Sequence, residues 1–137
     1  LMIKEEQNGI VSWDIPAGGL EVGESVEEAV VREVLEESKA IIKKPHLIRV
    51  FCFVQPQQTT INFLYKADLK KFEDKTIQYK AFDEVIEEVK LFNDLEIQEV
   101  IEQKKYEHAL AKARLEVFLE RSFLVADTRP VTIIQDN

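Results

Sequence analysis

The order of predicted elements places this chain in the mixed α/β class. A strand, a helix, a β-hairpin, another strand and a C-terminal helical segment follow one another, which builds a mixed sheet with helices packed on it. Three observations carry this reading. They are a capped amphipathic stretch at residues 26–38, β-branched and aromatic runs over residues 40–69, and helical periodicity over residues 95–123. The βα alternation of a doubly wound sheet is not repeated.

Residues 1–3 are a short apolar run. Gln7-Asn8-Gly9 is a turn signal, and residues 10–15 read as a strand. Pro16-Ala17-Gly18-Gly19 breaks that strand, and the loop continues to Gly23. Ser25 is suited to cap a helix over residues 26–38, with Glu28 three positions later completing a capping box. Residues 46–54 and 59–67 flank Gln55-Pro56-Gln57-Gln58, the pattern of a hairpin with a four-residue loop. Residues 70–75 read as a charged loop and residues 85–92 as a strand. Asn93 or Asp94 then caps a helical segment, residues 94–122, of one or two helices, with Tyr106, Leu110, Leu115 and Phe118 near one face. Residues 128–134 read as a terminal strand or a docked tail.

Length and composition narrow the function. The 137 residues predict one domain over 1–137, with no internal repeat. The lone cysteine, Cys52, excludes an intramolecular disulfide and a cysteine-based zinc site, and fits a reducing cytoplasm. No apolar run approaches the ~20 residues of a membrane span. Eighteen basic against 26 acidic side chains give a net charge of -8, which argues against binding nucleic acid through its phosphates. An anionic substrate would have to be held by something other than the bulk field.

One segment concentrates the acid. Residues 21–37 carry seven glutamates and one arginine. Like charges at i,i+4 destabilise a helix by a few tenths of a kcal/mol a pair, roughly, so the concentration calls for a reason. On a helical wheel Glu33, Glu36 and Glu37 fall within about 100° of one another. Val30, Val31, Val34 and Leu35 cover the neighbouring arc. Grouped carboxylate oxygens suit Mg²⁺ or Mn²⁺, which keep several waters and bridge to phosphates. The preceding loop, residues 16–23, has three glycines that allow backbone to approach an ion or a phosphate closely.

Gly18, Glu24, Arg32, Glu33, Val34, Glu36 and Glu37 stand at the spacing G-x5-E-x7-R-E-U-x-E-E-x-G-U, where U is a bulky aliphatic. This resembles the Nudix box at seven of nine specified positions. Lys39 and Ala40 replace the final glycine and aliphatic. Trp13-Asp14-Ile15-Pro16-Ala17-Gly18 is similar to the family's lead-in, of its PAG type, and nearly the whole chain can be placed on the domain. The resemblance implies a Nudix-type α/β/α sandwich and metal-assisted hydrolysis of a diphosphate linkage in a nucleotide or nucleotide derivative. It makes Glu36 and Glu37 metal ligands, with the Ala17 carbonyl, and Glu33 a further ligand or the base. Arg32 would pair with Glu24 and orient the carboxylates, and Gly18 and Gly19 would line the substrate site. A further acid is expected from Glu84, Glu87 or Glu88, with Glu84 favoured and Glu87 equally suited to the solvent face of an edge strand.

The same resemblance sets other expectations. Lys39 in place of glycine suggests a different helix exit, because the left-handed cap costs a non-glycine residue roughly 1 kcal/mol. A strand that usually precedes the position of Leu1 is expected to be missing or replaced, leaving an edge prone to self-association. A second reading is a catalytically silent module that senses a nucleotide or scaffolds a complex, although all three helix carboxylates are retained. Trp13 is expected to pack rather than stack on a base. Phe51, Phe53, Phe63 and Tyr65 divide between core and a base pocket, Cys52 is a buried small hydrophobe, and His46 and His108 are ordinary. The C-terminal helical segment packs on the sheet, with a homodimer interface as its other use.

Overall fold

A computed structural model describes the backbone of residues 1–7, 9–73, 80–81, 84–120 and 132–135, with the side chains of residues 7, 80, 81, 84 and 85 outside that description. In chain order the elements are β1 (Met2–Gln7), β2 (Ile10–Asp14), α1 (Val26–Ser38), β3 (Ala40–Val54), β4 (Thr59–Phe72), β5 (Lys80–Ala81), β6 (Glu84–Lys90), α2 (Asp94–Glu102), α3 (Ala109–Glu120) and β7 (Thr132–Gln135). The class is mixed α/β, as the element order predicts. The strands form two sheets rather than one, in the orders β2-β1-β6-β5 and β4-β3-β7. The reason is local: β1 has both edges taken by β2 and β6, and β3 both by β4 and β7, so neither central strand has an edge for the other. The mixed character lies in the smaller sheet, where β7 runs parallel to β3 with Phe51 opposite Thr132. Two compact units divide the chain, Leu1–Pro45 with Ala67–Phe92, and His46–Lys66 with Asn93–Asn137.

In the first unit, β1 and β2 make a hairpin turned at Gly9, whose φ of 77° suits a residue without Cβ. The apolar run at residues 1–3 is the start of a six-residue strand whose period is hidden by Lys4-Glu5-Glu6. Met2 and Ile3 point to opposite faces, yet each is only 1% exposed, so both faces of β1 are covered there. Among the described residues β1 is bonded on both sides, by β2 and β6, and β2 stands at the edge of this sheet. Between Lys4 and Glu5 the register with β6 shifts, leaving Glu87 as the extra residue of a β-bulge.

Helix α1 begins as its sequence dictates. The Ser25 hydroxyl accepts from the Glu28 amide at 3.2 Å, and the Glu28 carboxylate accepts from the Ser25 amide at 2.8 Å. Ala29 is its best-buried apolar residue, while Val31, expected on the apolar stripe, is exposed. Its exit differs from expectation. Lys39 takes the left-handed cap itself, at φ 59° and ψ 11°, and its amide donates to the Leu35 carbonyl at 3.0 Å. Its own carbonyl accepts from the Glu73 amide at 2.8 Å, so the turn is held from both sides. Tertiary bonding thus imposes a conformation that lysine disfavours. Lys39→Gly is expected to stabilise the fold by about 0.5–1 kcal/mol, the steric relief less glycine's greater unfolded-state freedom, measured by urea denaturation.

The predicted hairpin is present, closed by the Gln55 amide on the Gln58 carbonyl at 2.9 Å, but both strands are longer than expected. Lys70-Lys71-Phe72 continues β4 instead of looping, because ladder bonds are made by backbone and tolerate charge on an exposed strand end.

In the second unit the predicted helical segment is two helices. Asn93 caps α2 through a second capping box with Glu96. Residues 103–108 separate α2 from α3, with Lys104 at φ 53°, so Tyr106 lies in the connection and not on a helix face. Leu110 and Leu115 are buried, but Phe118 is 44% exposed. His108 has a role: its Nδ1 accepts from the Ala111 amide at 3.0 Å at the start of α3, and its ring lies 5.4 Å from Phe53. Phe51 and Phe53 are buried on one face of β3, whereas Phe63 is 45% exposed and Cys52, on the other face, is only half-buried. Arg114 Nη2 donates to Asn62 Oδ1 at 3.0 Å, joining α3 to β4 within this unit. His46 is exposed. No helix among the described residues is long and apolar enough to cross a membrane.

Candidate active site

The site lies in the first unit, where β2 ends and the loop Pro16–Gly23 returns to α1. Its geometry rests on three consecutive loop residues, each touching one helix side chain. The Ala17 amide donates to Glu37 Oε2 at 2.8 Å. A Cβ on Gly18 would overlap the carboxylate of Glu33, so glycine is needed there for closeness and not for φ. The Gly19 carbonyl accepts from Arg32 Nη2 at 2.9 Å. The loop is thereby seated on the turn of α1 that carries residues 32–37.

Arg32 organises this turn. Its Nε and Nη2 donate to Glu24 Oε1 and Oε2 at 2.8 and 2.9 Å, a two-pronged pair in which the planar fork matches the carboxylate. Glu24 is held in turn by the Glu21 amide at 3.0 Å. The remaining nitrogen, Nη1, donates to Glu33 Oε1 at 2.7 Å and to Glu36 Oε2 at 3.2 Å. The pairing of Arg32 with Glu24 follows the expectation. The convergence of Glu33, Glu36 and Glu37 does not. Two of these side chains turn to the guanidinium and the third to the Ala17 amide. Among the described residues no three His, Cys, Asp or Glu side chains surround a common point. The N–H of Ala17 meets the site at Glu37.

The donor set nevertheless fits a hard divalent ion in chemistry. Every side-chain donor is a carboxylate oxygen, and four glutamates around one arginine leave net negative charge. Glu37 is 6% exposed, while the Glu36 side chain is 52% exposed. The guanidinium fork and the Glu21 amide hold the Glu24 carboxyl below its usual range. Glu28 is likewise lowered by the backbone and hydroxyl of Ser25. A depressed folded-state pKa adds stability above the unfolded value of 4.5 and loses it as pH falls through the folded value. Acid unfolding is therefore expected to steepen below about pH 4.5, and Glu24→Gln to flatten it, read by circular dichroism across a pH series.

Of the other predicted acids, the Glu84 side chain lies outside the described residues. Glu87 bonds Lys4 Nζ at 3.0 Å, which lowers its pKa, and it sits at the bulge of an interior strand rather than on an edge. Glu88 is exposed opposite Lys4. Trp13 is half-buried, its ring 4.6 Å from Phe92, whose ring also lies 5.1 Å from Lys90 Nζ. The roles of Lys4 and of the Gly19 carbonyl had no signal in the sequence, since each depends on pairing across elements.

A NUDIX domain model matches residues 1–119. Phosphatase NudJ of Escherichia coli K12 is 35% identical over 72 residues, which are 52% of this chain and 47% of that protein, and the Shigella flexneri protein of the same name matches equally. The chain thus spans about half the length of these curated relatives. Among solved structures, a NUDIX hydrolase from Nitrosomonas europaea aligns with a TM-score of 0.72 at 23% identity, covering 88% of this chain and 80% of that one. At such identity the shared property is the fold. With the family model covering most of its length, and with the loop and helix it contains arranged as described, the chain belongs to the NUDIX family.

Proposed function

We propose that this chain is a Mg²⁺- or Mn²⁺-dependent pyrophosphohydrolase that cuts a P–O–P linkage in a nucleoside di- or triphosphate or a nucleoside diphosphate derivative, and that residues 1–137 act as one catalytic domain. The observation that carries the reading is the seating of Ala17, Gly18 and Gly19 on Glu37, Glu33 and Arg32 in a NUDIX chain. Glu33, Glu36 and Glu37 would hold the cation, with Glu84, Glu87 or Glu88 as a further acid. When bound, the cation neutralises the diphosphate and makes a water more acidic. Glu33 takes a proton from the attacking water, whose oxygen bonds to phosphorus as the bridging P–O bond breaks and the electron pair leaves on the released phosphate. Arg32 and Glu24 orient Glu33 and Glu36 without touching substrate. Gly18 and Gly19 leave the loop narrow enough for a phosphate to approach. The single cysteine suits a cytoplasmic enzyme.

The relative named phosphatase NudJ supports phosphate-ester or anhydride chemistry. The test is a panel of nucleoside di- and triphosphates, dinucleoside polyphosphates, ADP-ribose and thiamine diphosphates with Mg²⁺, with products resolved by mass. Cleavage of a P–O–P bond is the expected result. Binding without hydrolysis across the panel would replace the enzyme with a nucleotide sensor. Light scattering after size exclusion tests the homodimer this reading allows.

A further inference from the structure

Resting on the metal-dependent reading above, we propose that Arg32 is a resident counter-cation with one fixed edge and one exchangeable edge, and that Glu24 sets metal affinity by keeping it from binding the metal ligands too tightly. The two edges differ on the page. Nε and Nη2 are committed to both oxygens of Glu24 and to the Gly19 carbonyl, three bonds of 2.8 to 2.9 Å, with the Glu24 side chain 13% exposed. Nη1 alone reaches the proposed ligands, Glu33 and Glu36. Its contact with Glu36 is the longer one, 3.2 Å, to a carboxylate more exposed than that of Glu33. Nη1 occupies one oxygen of each carboxylate, Glu33 Oε1 and Glu36 Oε2, so a cation that takes those oxygens exchanges with Nη1. Glu36 releases first, then Glu33, while the fork on Glu24 stays closed. Without a divalent ion the guanidinium limits the repulsion among clustered carboxylates, and with one it withdraws a single nitrogen. No large rearrangement is required.

The two flanking substitutions should therefore act in opposite directions. Removing the competitor, Arg32→Gln, tightens Mn²⁺ binding. Neutralising its anchor, Glu24→Gln, turns the whole guanidinium charge on Glu33 and Glu36 and weakens binding. A purely structural role for the pair would make both variants weaker. Glu21→Gln controls for bulk charge, because its carboxylate is exposed and stands 4.0 Å from Nη1 without a hydrogen bond.

Mn²⁺ dissociation constants of the metal-stripped full chain, read from the free-ion electron paramagnetic resonance signal, test this. Roughly fivefold tighter binding is expected for Arg32→Gln and roughly fivefold weaker for Glu24→Gln, with Glu21→Gln within about twofold of the parent. Arg32→Gln no tighter than the parent, or Glu21→Gln shifted as far as Glu24→Gln, overturns the proposal while the metal site stands. No Mn²⁺ binding by the parent overturns the metal reading itself. Should Arg32→Gln fail to fold, arginine side-chain NMR of the parent decides. On adding Mg²⁺ the Arg32 Nη1 protons are expected to lose their hydrogen bonds while Nε–H keeps its own, and an unchanged guanidinium spectrum overturns the exchange.

Discussion

Glu36→Gln and Glu37→Gln are each expected to lower kcat by at least about a hundredfold, near 2.7 kcal/mol, while the fold stays intact. The reason for the large effect is the loss of an anionic oxygen in a site whose proposed chemistry is charge neutralisation. The reason for the intact fold differs between the two. Glu36 is half-exposed and its bond to Arg32 Nη1 is the longest hydrogen bond of that guanidinium, so little stability is at stake. Glu37 is buried, but glutamine keeps a carbonyl oxygen able to accept from the Ala17 amide. Steady-state kinetics on the best substrate of the panel, paired with thermal melting, check both. Parent-like turnover in either variant removes that residue from the metal site.

Gly18→Ala is expected to separate activity from stability even more sharply. The added Cβ would occupy the place of the Glu33 carboxylate, and no other site atom stands as close. That carboxylate is the far end of a flexible side chain, so it swings aside at little cost. Melting should fall by the equivalent of less than about 1 kcal/mol, because the loop is exposed and Gly18 does not use a left-handed φ. Turnover should fall by about a hundredfold, since displacing the proposed base by an ångström or more removes it from reaction geometry. A large melting shift with parent-like turnover would mean that Gly18 serves packing alone.

Much of the local structure could be read in advance because its rules are short-range. Ser25 and Glu28 are three residues apart and form their reciprocal bonds within one helical turn, as do Asn93 and Glu96 at the start of α2. The spacing from Gly18 to Glu37 could be matched for the same reason: a helix converts sequence separation into position by a constant rotation. Strand lengths were less legible. Lys4-Glu5-Glu6 and Lys70-Lys71 look like loops by composition, yet they lie in β1 and β4, where partners supply ladder bonds whatever the side chains carry.

Residue order alone is enough to put three carboxylates on one helix beside a glycine loop. Their aim is another matter, because Arg32 has several acids within reach and its choice depends on a loop folding back from 13 to 20 residues away. Lys39 makes the same point in the backbone. Its intrinsic preference is to leave the left-handed region, but hydrogen bonds to Leu35 and Glu73 close the turn around it. Short-range preferences select the elements at a few tenths of a kcal/mol per residue, whereas long-range bonds to buried or charged groups cost more to break and so decide where each side chain points.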